Sequence, residues 1–190
     1  IQPLDAAIQG TTTTSLQAYN FAQGKEVSLD NLIKPVQLEE PLDFVSITDH
    51  SEMLGELEIC RTPNLKGYKS IACRTYRNFD DTAYLWLNSR LALRPKPYRK
   101  DLARMPFCGW KGERCEKVAT KVWQMTVKEA QKHNNPCDFT VFPGYEWSGS
   151  PHLQNIHRNV IFEDTKNRYP NLKINITDLN ESIYTNLPDI

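Results

Sequence analysis

A short apolar run at residues 44–48 ends directly at an acid and an imidazole, Asp49 and His50. The β-branched and aromatic residues of this run predict a buried β-strand. In α/β folds, active sites are assembled at the C-terminal ends of strands. A carboxylate beside an imidazole at such an end can hold a metal ion or orient the histidine for proton transfer. The simpler alternative is a strand that ends in a polar turn, with Asp49 capping the next helix.

Two further strands are predicted, and each has polar side chains at one end. Residues 139–142 form an apolar run that we expect to break at a Pro-Gly pair. Because Gly144 permits a sharp turn, Glu146 is expected to be directed into a pocket. The third strand is predicted at residues 155–162, and its polar end carries His157, Arg158 and Asn159.

Helical segments alternate with these strands. Apolar periodicity and end signals predict four helical stretches, at about residues 15–22 with Ser15 as N-cap, 51–59 with an interruption at Gly55, 80–93, and 113–133. This alternation predicts an α/β fold with a largely parallel sheet. A length of 190 residues fits one domain, residues 1–190.

Charge and hydropathy bear on whether the chain binds nucleic acid or spans a membrane. The 23 Lys and Arg residues balance the 23 Asp and Glu residues, so the whole chain offers no electrostatic argument for binding nucleic acid. The basic segment at residues 94–100 is proline-rich and is best interpreted as a solvated loop, although phosphate contact is an alternative. No apolar run approaches the roughly 20 residues that span a bilayer. We therefore expect no nucleic-acid partner and no membrane span.

The five cysteines are many for a cytosolic enzyme of this length: Cys60, Cys73, Cys108, Cys115 and Cys137. None of them forms a Cys-x-x-Cys pair, which argues against a zinc ribbon or a thioredoxin-type site. Cys108 and Cys115 flank a glycine-rich loop and are predicted to form a short disulfide. The other three can supply a second bridge and leave one thiol. We expect an oxidising compartment, periplasmic or extracellular; the alternative is five reduced, buried cysteines that act as small apolar residues.

The polar strand ends supply a mixed set of possible metal ligands. His50, Glu146 and His157 offer two imidazoles and a carboxylate, a set that suits zinc, manganese or iron. Arg158 is a candidate for complementing a substrate phosphate. Each residue also has an ordinary alternative: His157 as an edge-strand histidine, Glu146 as a surface acid, and Arg158 as its salt-bridge partner.

Several short motifs resemble those of a known group of proteins. They lie at residues 18–24, 41–44, 48–52, 144–148 and 157–162. In their order and spacing they resemble a bacterial family of unknown function that belongs to, or lies beside, the PHP (polymerase and histidinol phosphatase) metal-dependent phosphoesterases. The similarity spans roughly residues 4–165.

The resemblance implies a distorted (β/α)7 barrel with two or more divalent ions at its C-terminal mouth. His50 would be a metal ligand, Glu146 a bridging ligand, and His157 a further ligand or a phosphate contact, while Asp49 would orient or ligate. The His-x-His pair expected near Leu4, and the later ligand motifs of that family, are not present. The chain is therefore expected to be an incomplete part of such a barrel.

The sequence thus predicts a metal-dependent hydrolase that acts on a small phosphorylated substrate through a metal-activated water. Asp49 and Arg158 are the predicted catalytic residues. The rival hypothesis is a catalytically incomplete PHP-like fragment that binds a ligand or a partner.

Overall fold

The computed structural model describes residues 13–29, 32–51, 53–78, 105–110, 112–149 and 156–163. These residues contain four α-helices: α1 (Ser15–Ala22), α2 (Leu54–Arg61), α3 (Ile71–Arg77) and α4 (Glu113–His133). A 3-10 helix spans Pro106–Cys108, and the three strands are β1 (Phe44–Ile47), β2 (Thr140–Gly149) and β3 (Ile156–Ile161). The predicted helix at 80–93 and the basic segment at 94–100 lie outside the described residues. No helix within the described ranges has both the length and the apolar character needed to cross a bilayer.

The three strands form one sheet in the order β1-β2-β3. β1 and β2 are parallel, with Phe44 opposite Thr140 and Ile47 opposite Pro143. β3 runs the other way, because Phe162 N donates to Pro143 O while His157 contacts Glu146. Residue numbers therefore rise along β2 as they fall along β3, which is the antiparallel arrangement.

The predicted (β/α)7 barrel with a largely parallel sheet is wrong for the described part of the chain. That part has a small mixed sheet of three strands and four helices. A parallel barrel needs every strand to run in the same direction. The antiparallel β3 breaks that rule.

β2 also differs from its prediction, because it continues through Pro143 and Gly144 instead of turning there. The bonds that it donates to β1 come from even-numbered residues, as in Thr140 N to Asp43 O and Glu146 N to Asp49 O. Pro143 lacks an N–H but is odd-numbered, so it removes none of these bonds. The proline therefore leaves the pairing of β2 with β1 intact.

The described residues belong to two compact units. The first holds most of the sheet, α1 and the end of α4. Its core consists of Tyr19, Ala22, Ala130, Phe139 and Val141, with Val45 and Ile47 of β1 packed against it. The N-cap of α1 lies one residue earlier than predicted. Thr14, not Ser15, is the N-cap, and it forms a capping box with Gln17.

The second unit contains α2, α3, the 3-10 helix and the beginning of α4. Two disulfides connect its elements, Cys60–Cys73 and Cys108–Cys115, and Cys137 of the first unit is free and exposed. The predicted Cys108–Cys115 bridge is confirmed. α3 was not predicted; its N-cap is Ser70, whose hydroxyl accepts from Cys73 N. The single-domain prediction stays a prediction.

Candidate metal centre

His50 and Glu146 face each other where β1 leads out of the sheet. Glu146 N donates to Asp49 O and Ser51 N donates to Glu146 O, both at 2.9 Å, so that His50 is the register partner of Glu146. Directly opposed residues of neighbouring strands have side chains on the same face. The backbone pairing alone therefore brings the imidazole and the carboxylate together.

His157 joins them from β3. Its Nδ1 lies 2.8 Å from Glu146 Oε1, while His50 Nε2 lies 3.9 Å from Glu146 Oε2. The two imidazole rings meet edge to face, with centroids 5.7 Å apart. One ligand atom from each of the three residues lies within 4.8 Å of the others. We call these residues, His50, Glu146 and His157, the His–Glu–His cluster.

The cluster lies on the face of the sheet opposite the hydrophobic core. Val45 and Ile47 of β1 pack against the core. The residues between and directly after them point to the other face, where the cluster lies. Tyr145, next to Glu146, packs with Trp123 and Phe162. Since successive side chains of a strand point to opposite faces, the apolar residues anchor the strands and leave the cluster facing away from the core. The side chains of His50, Glu146 and His157 are 11%, 21% and 52% exposed, so solvent reaches the cluster.

The structure does not bring Asp49 into this cluster. Asp49 follows Ile47 by two positions and shares its side of the sheet, where its charge acts on the buried phenol of Tyr19. Burial raises the pKa of Tyr19, and the Asp49 carboxylate raises it further. Asp49 still contributes to the site through its backbone, whose carbonyl accepts from Glu146 N.

Arg158 is also placed apart. It follows His157 directly in β3, so its side chain points to the opposite face of the strand. It is exposed on that face. The predicted phosphate contact by Arg158 thus finds no support in the position of the residue.

A second group of possible ligands lies in the other unit, formed by Glu56, Cys108 and Cys115, all buried. The two sulfurs are joined in a disulfide, and metal coordination by cysteine requires thiolates. The two cysteines lie close together because they form a disulfide, and the group is not a metal site. The buried Glu56 was missed from the sequence, where its neighbours along α2 give no sign that an acid is enclosed.

The His–Glu–His cluster lies within a stretch of the chain that matches a protein family. The family model of proteins of unknown function, DUF3604, matches residues 2–186. The chain belongs to this family. No curated protein and no solved structure matches the sequence. The description of DUF3604 names no activity.

Proposed function

We propose that the protein is a metal-dependent hydrolase, a phosphoesterase related to the PHP group, whose divalent ion binds at the His–Glu–His cluster. The observation that carries the proposal is the approach of two imidazoles and one carboxylate to within 4.8 Å on a solvent-accessible face. The residues come from three separate segments of the chain. Their convergence is what a site requires and what a scattered set of polar surface residues lacks.

The donor set fits a transition metal. Imidazole suits zinc, iron and manganese sites, and a carboxylate adds charge compensation. An ion bound there supplies Lewis acidity and a water of lowered pKa. The chain itself supplies the fixed geometry, because the opposed backbones at His50 and Glu146 and the apolar core behind the sheet hold the side chains in place.

A small phosphorylated substrate is the proposed class, because the motifs around the cluster resemble those of a bacterial family of unknown function that belongs to, or lies beside, the PHP phosphoesterases. Glu146 lies between the two histidines, and its negative charge disfavours an approaching phosphate unless a cation is bound. The proposed phosphate site therefore depends on the metal. Arg158 is not part of the proposal, because it points away from the cluster.

We also propose that the protein works in an oxidising compartment, periplasmic or extracellular. Both disulfides enclose short loops, with sequence separations of 13 and 7. Bridges of this kind persist where thiols are not kept reduced.

The proposal is tested by metal content and turnover measured on the same samples. Protein dialysed against zinc or manganese is expected to retain the ion and to hydrolyse p-nitrophenyl phosphate. His50→Ala and Glu146→Gln are expected to lose both properties. His133→Phe and Glu116→Gln remove an imidazole and a carboxylate outside the cluster, and should change neither.

Two results would decide against the proposal. Metal retention that is unchanged in both His50→Ala and Glu146→Gln would remove the cluster from the site. Stable metal binding without turnover of phosphomonoesters or phosphodiesters would favour the rival role, a ligand- or partner-binding protein.

A further inference from the structure

The two histidines of the cluster do not have equivalent contacts with Glu146. His50 Nε2 is 3.9 Å from Oε2, whereas His157 Nδ1 is 2.8 Å from Oε1. The two oxygens of one carboxylate thus serve two different imidazoles. One of these distances fits two ligands of the same metal ion, and the other fits a hydrogen bond.

Metal geometry separates the two cases. Two ligand atoms at roughly 2.1 Å from a tetrahedral ion lie about 3.4 Å apart, and they lie at most about 4.2 Å apart on opposite sides of it. In an octahedral site with ligands at roughly 2.0–2.1 Å, neighbouring ligands lie about 2.8–3.0 Å apart. The 3.9 Å spacing between His50 and Glu146 falls in the range that accommodates one ion. The 2.8 Å spacing between His157 and Glu146 is clearly shorter than the neighbour spacing of a tetrahedral ion and is a normal hydrogen-bond length.

Resting on the proposed function, we propose that His157 is a positioning residue and not a ligand through Nδ1. Its Nδ1–H donates to Glu146 Oε1, and this bond turns Oε2 toward His50. His50 Nε2 and Glu146 Oε2 would be the atoms that hold the ion. The arrangement resembles the outer-shell hydrogen bonds that orient metal ligands, with the imidazole in this case orienting the carboxylate.

Exposure agrees with this division of roles. The side chain of His50 is 11% exposed, whereas that of His157 is 52% exposed. A half-exposed imidazole is held less by packing than a buried one and needs a hydrogen-bond partner to fix its orientation. The charge-assisted bond to a carboxylate is such a partner.

The first test is the tautomer of His157 in the metal-free protein. Histidine labelled with ¹⁵N, observed near pH 8 where an ordinary imidazole is neutral, reports which ring nitrogen carries the proton. We expect the proton on Nδ1, with the signal assigned by its loss in His157→Gln. A proton on Nε2, together with an Nδ1 signal that shifts when zinc is added, would show that His157 is a ligand through Nδ1 and overturn the inference.

The second test is zinc affinity, measured by competition with a chelating dye. His157→Ala is expected to weaken zinc binding about 10- to 100-fold, the usual cost of losing an outer-shell partner. His157→Asn keeps an N–H donor near the position of Nδ1 and should restore most of that affinity. His50→Ala should remove measurable binding. If His157→Asn binds zinc as poorly as His50→Ala, His157 is a direct ligand.

The two proposals fail in different ways. A wild-type protein that does not bind zinc but has the Nδ1–H tautomer would contradict the metal site alone. A protein that binds zinc and has the Nε2–H tautomer would contradict the positioning role alone. Circular dichroism and urea unfolding of each variant identify any that do not fold, and His157→Asn and the tautomer measurement decide the question even if His157→Ala does not fold.

Discussion

Gly144 lies so close to Ser46 that a Cβ on the glycine would be 2.6 Å from the serine Oγ. The same Cβ would be 3.0 Å from Thr48 Cγ2 and from Val160 O. Atoms from the chain segments on both sides of β2 therefore leave no room for a side chain at this position. Ser46 Oγ is itself buried and has no hydrogen-bond partner among the described residues. The close packing at Gly144 is thus present although the Ser46 hydroxyl has no hydrogen-bond partner within the described part of the chain.

Replacing Gly144 with alanine is expected to destabilise the protein by about 1–3 kcal/mol, the usual cost of overpacking. It should also weaken zinc binding, because Glu146 lies two residues further along the same strand and on the same face. Urea unfolding and the dye competition assay measure the two effects.

The effect of Gly144→Ala is compared in wild-type protein and in a protein that carries Ser46→Ala. Alone it should cost little, because it removes a buried hydroxyl that has no partner. Combined with Gly144→Ala, it should recover part of the lost stability, since the closest contact is gone while Thr48 and Val160 remain. A Gly144→Ala protein as stable as wild type would contradict the packing argument.

Local signals in the sequence predicted the individual elements well. α4 has the predicted bounds of Glu113–His133, because its periodicity extends over 21 residues and Pro136 lies just beyond it. β1 and β3 lie within one residue of their predictions at each end, since short runs of β-branched residues are local signals. The direction in which strands pair is not local, and for that reason the antiparallel β3 was missed.

The candidate site was predictable in part for the same reason. His50 and Glu146 were predicted to come together because polar residues follow apolar runs, and the register then places them opposite each other. Asp49 and Arg158 were placed in the site because they adjoin His50 and His157 in sequence. Side chains of successive residues in a strand point to opposite faces of the sheet. Asp49 and Arg158 therefore cannot share the face on which their neighbours His50 and His157 lie.

The disulfides predict a specific labelling pattern. Alkylation of the native, unreduced protein should modify Cys137 alone, and all five cysteines should react after reduction and unfolding. Mass spectrometry counts the added groups. More than one modified cysteine in the unreduced protein would contradict at least one of the two bridges.

Removing each bridge should lower stability, and slightly more for the bridge that closes the longer loop. For sequence separations of 13 and 7, the loop-entropy relation gives about 3 kcal/mol for Cys60–Cys73 and about 2.5 kcal/mol for Cys108–Cys115. The paired alanine variants are compared by urea unfolding. Cys137→Ser, which breaks no bridge, is the control and should leave stability unchanged.

Glu129 near the end of α4 predicts a pH dependence. The hydrogen bond from Lys132 is the main cause that lowers the pKa of the Glu129 carboxyl, and His133 adds to it. A carboxyl with a pKa lowered by folding stabilises the protein above its unfolded pKa of about 4.3, and this stabilisation is lost as the pH falls through the folded pKa.

Glu129→Gln should therefore cost about 0.5 kcal/mol at neutral pH, the usual size of helical side-chain pairs. The difference from wild type should shrink as the pH is lowered from about 5 toward 2. Urea unfolding at several pH values measures it. In a Lys132→Gln background the same change should cost less, and an equal cost in both backgrounds would contradict the assigned cause.

Gly55 in α2 gives the most severe steric prediction. A Cβ there would be 2.0 Å from Cys115 O and 3.1 Å from Ala119 N, both backbone atoms of α4. Alanine has the higher helix propensity, by about 1 kcal/mol. That gain is expected to be outweighed, because a helix backbone cannot move aside as a flexible side chain can. Gly55→Ala should destabilise the protein by at least about 2 kcal/mol in urea unfolding.

Gly112→Ala distinguishes this steric effect from a general intolerance of glycine replacement. An added Cβ at Gly112 meets no atom within 4 Å, but the residue has a φ of 81°, so its replacement costs only backbone strain of about 1 kcal/mol. The Cys108–Cys115 disulfide ties the start of α4 to the 3-10 helix and limits how far Cys115 can retreat from α2. Gly55→Ala should therefore cost less in a protein in which both of these cysteines are alanine, and an equal cost would show that the bridge does not hold this packing in place.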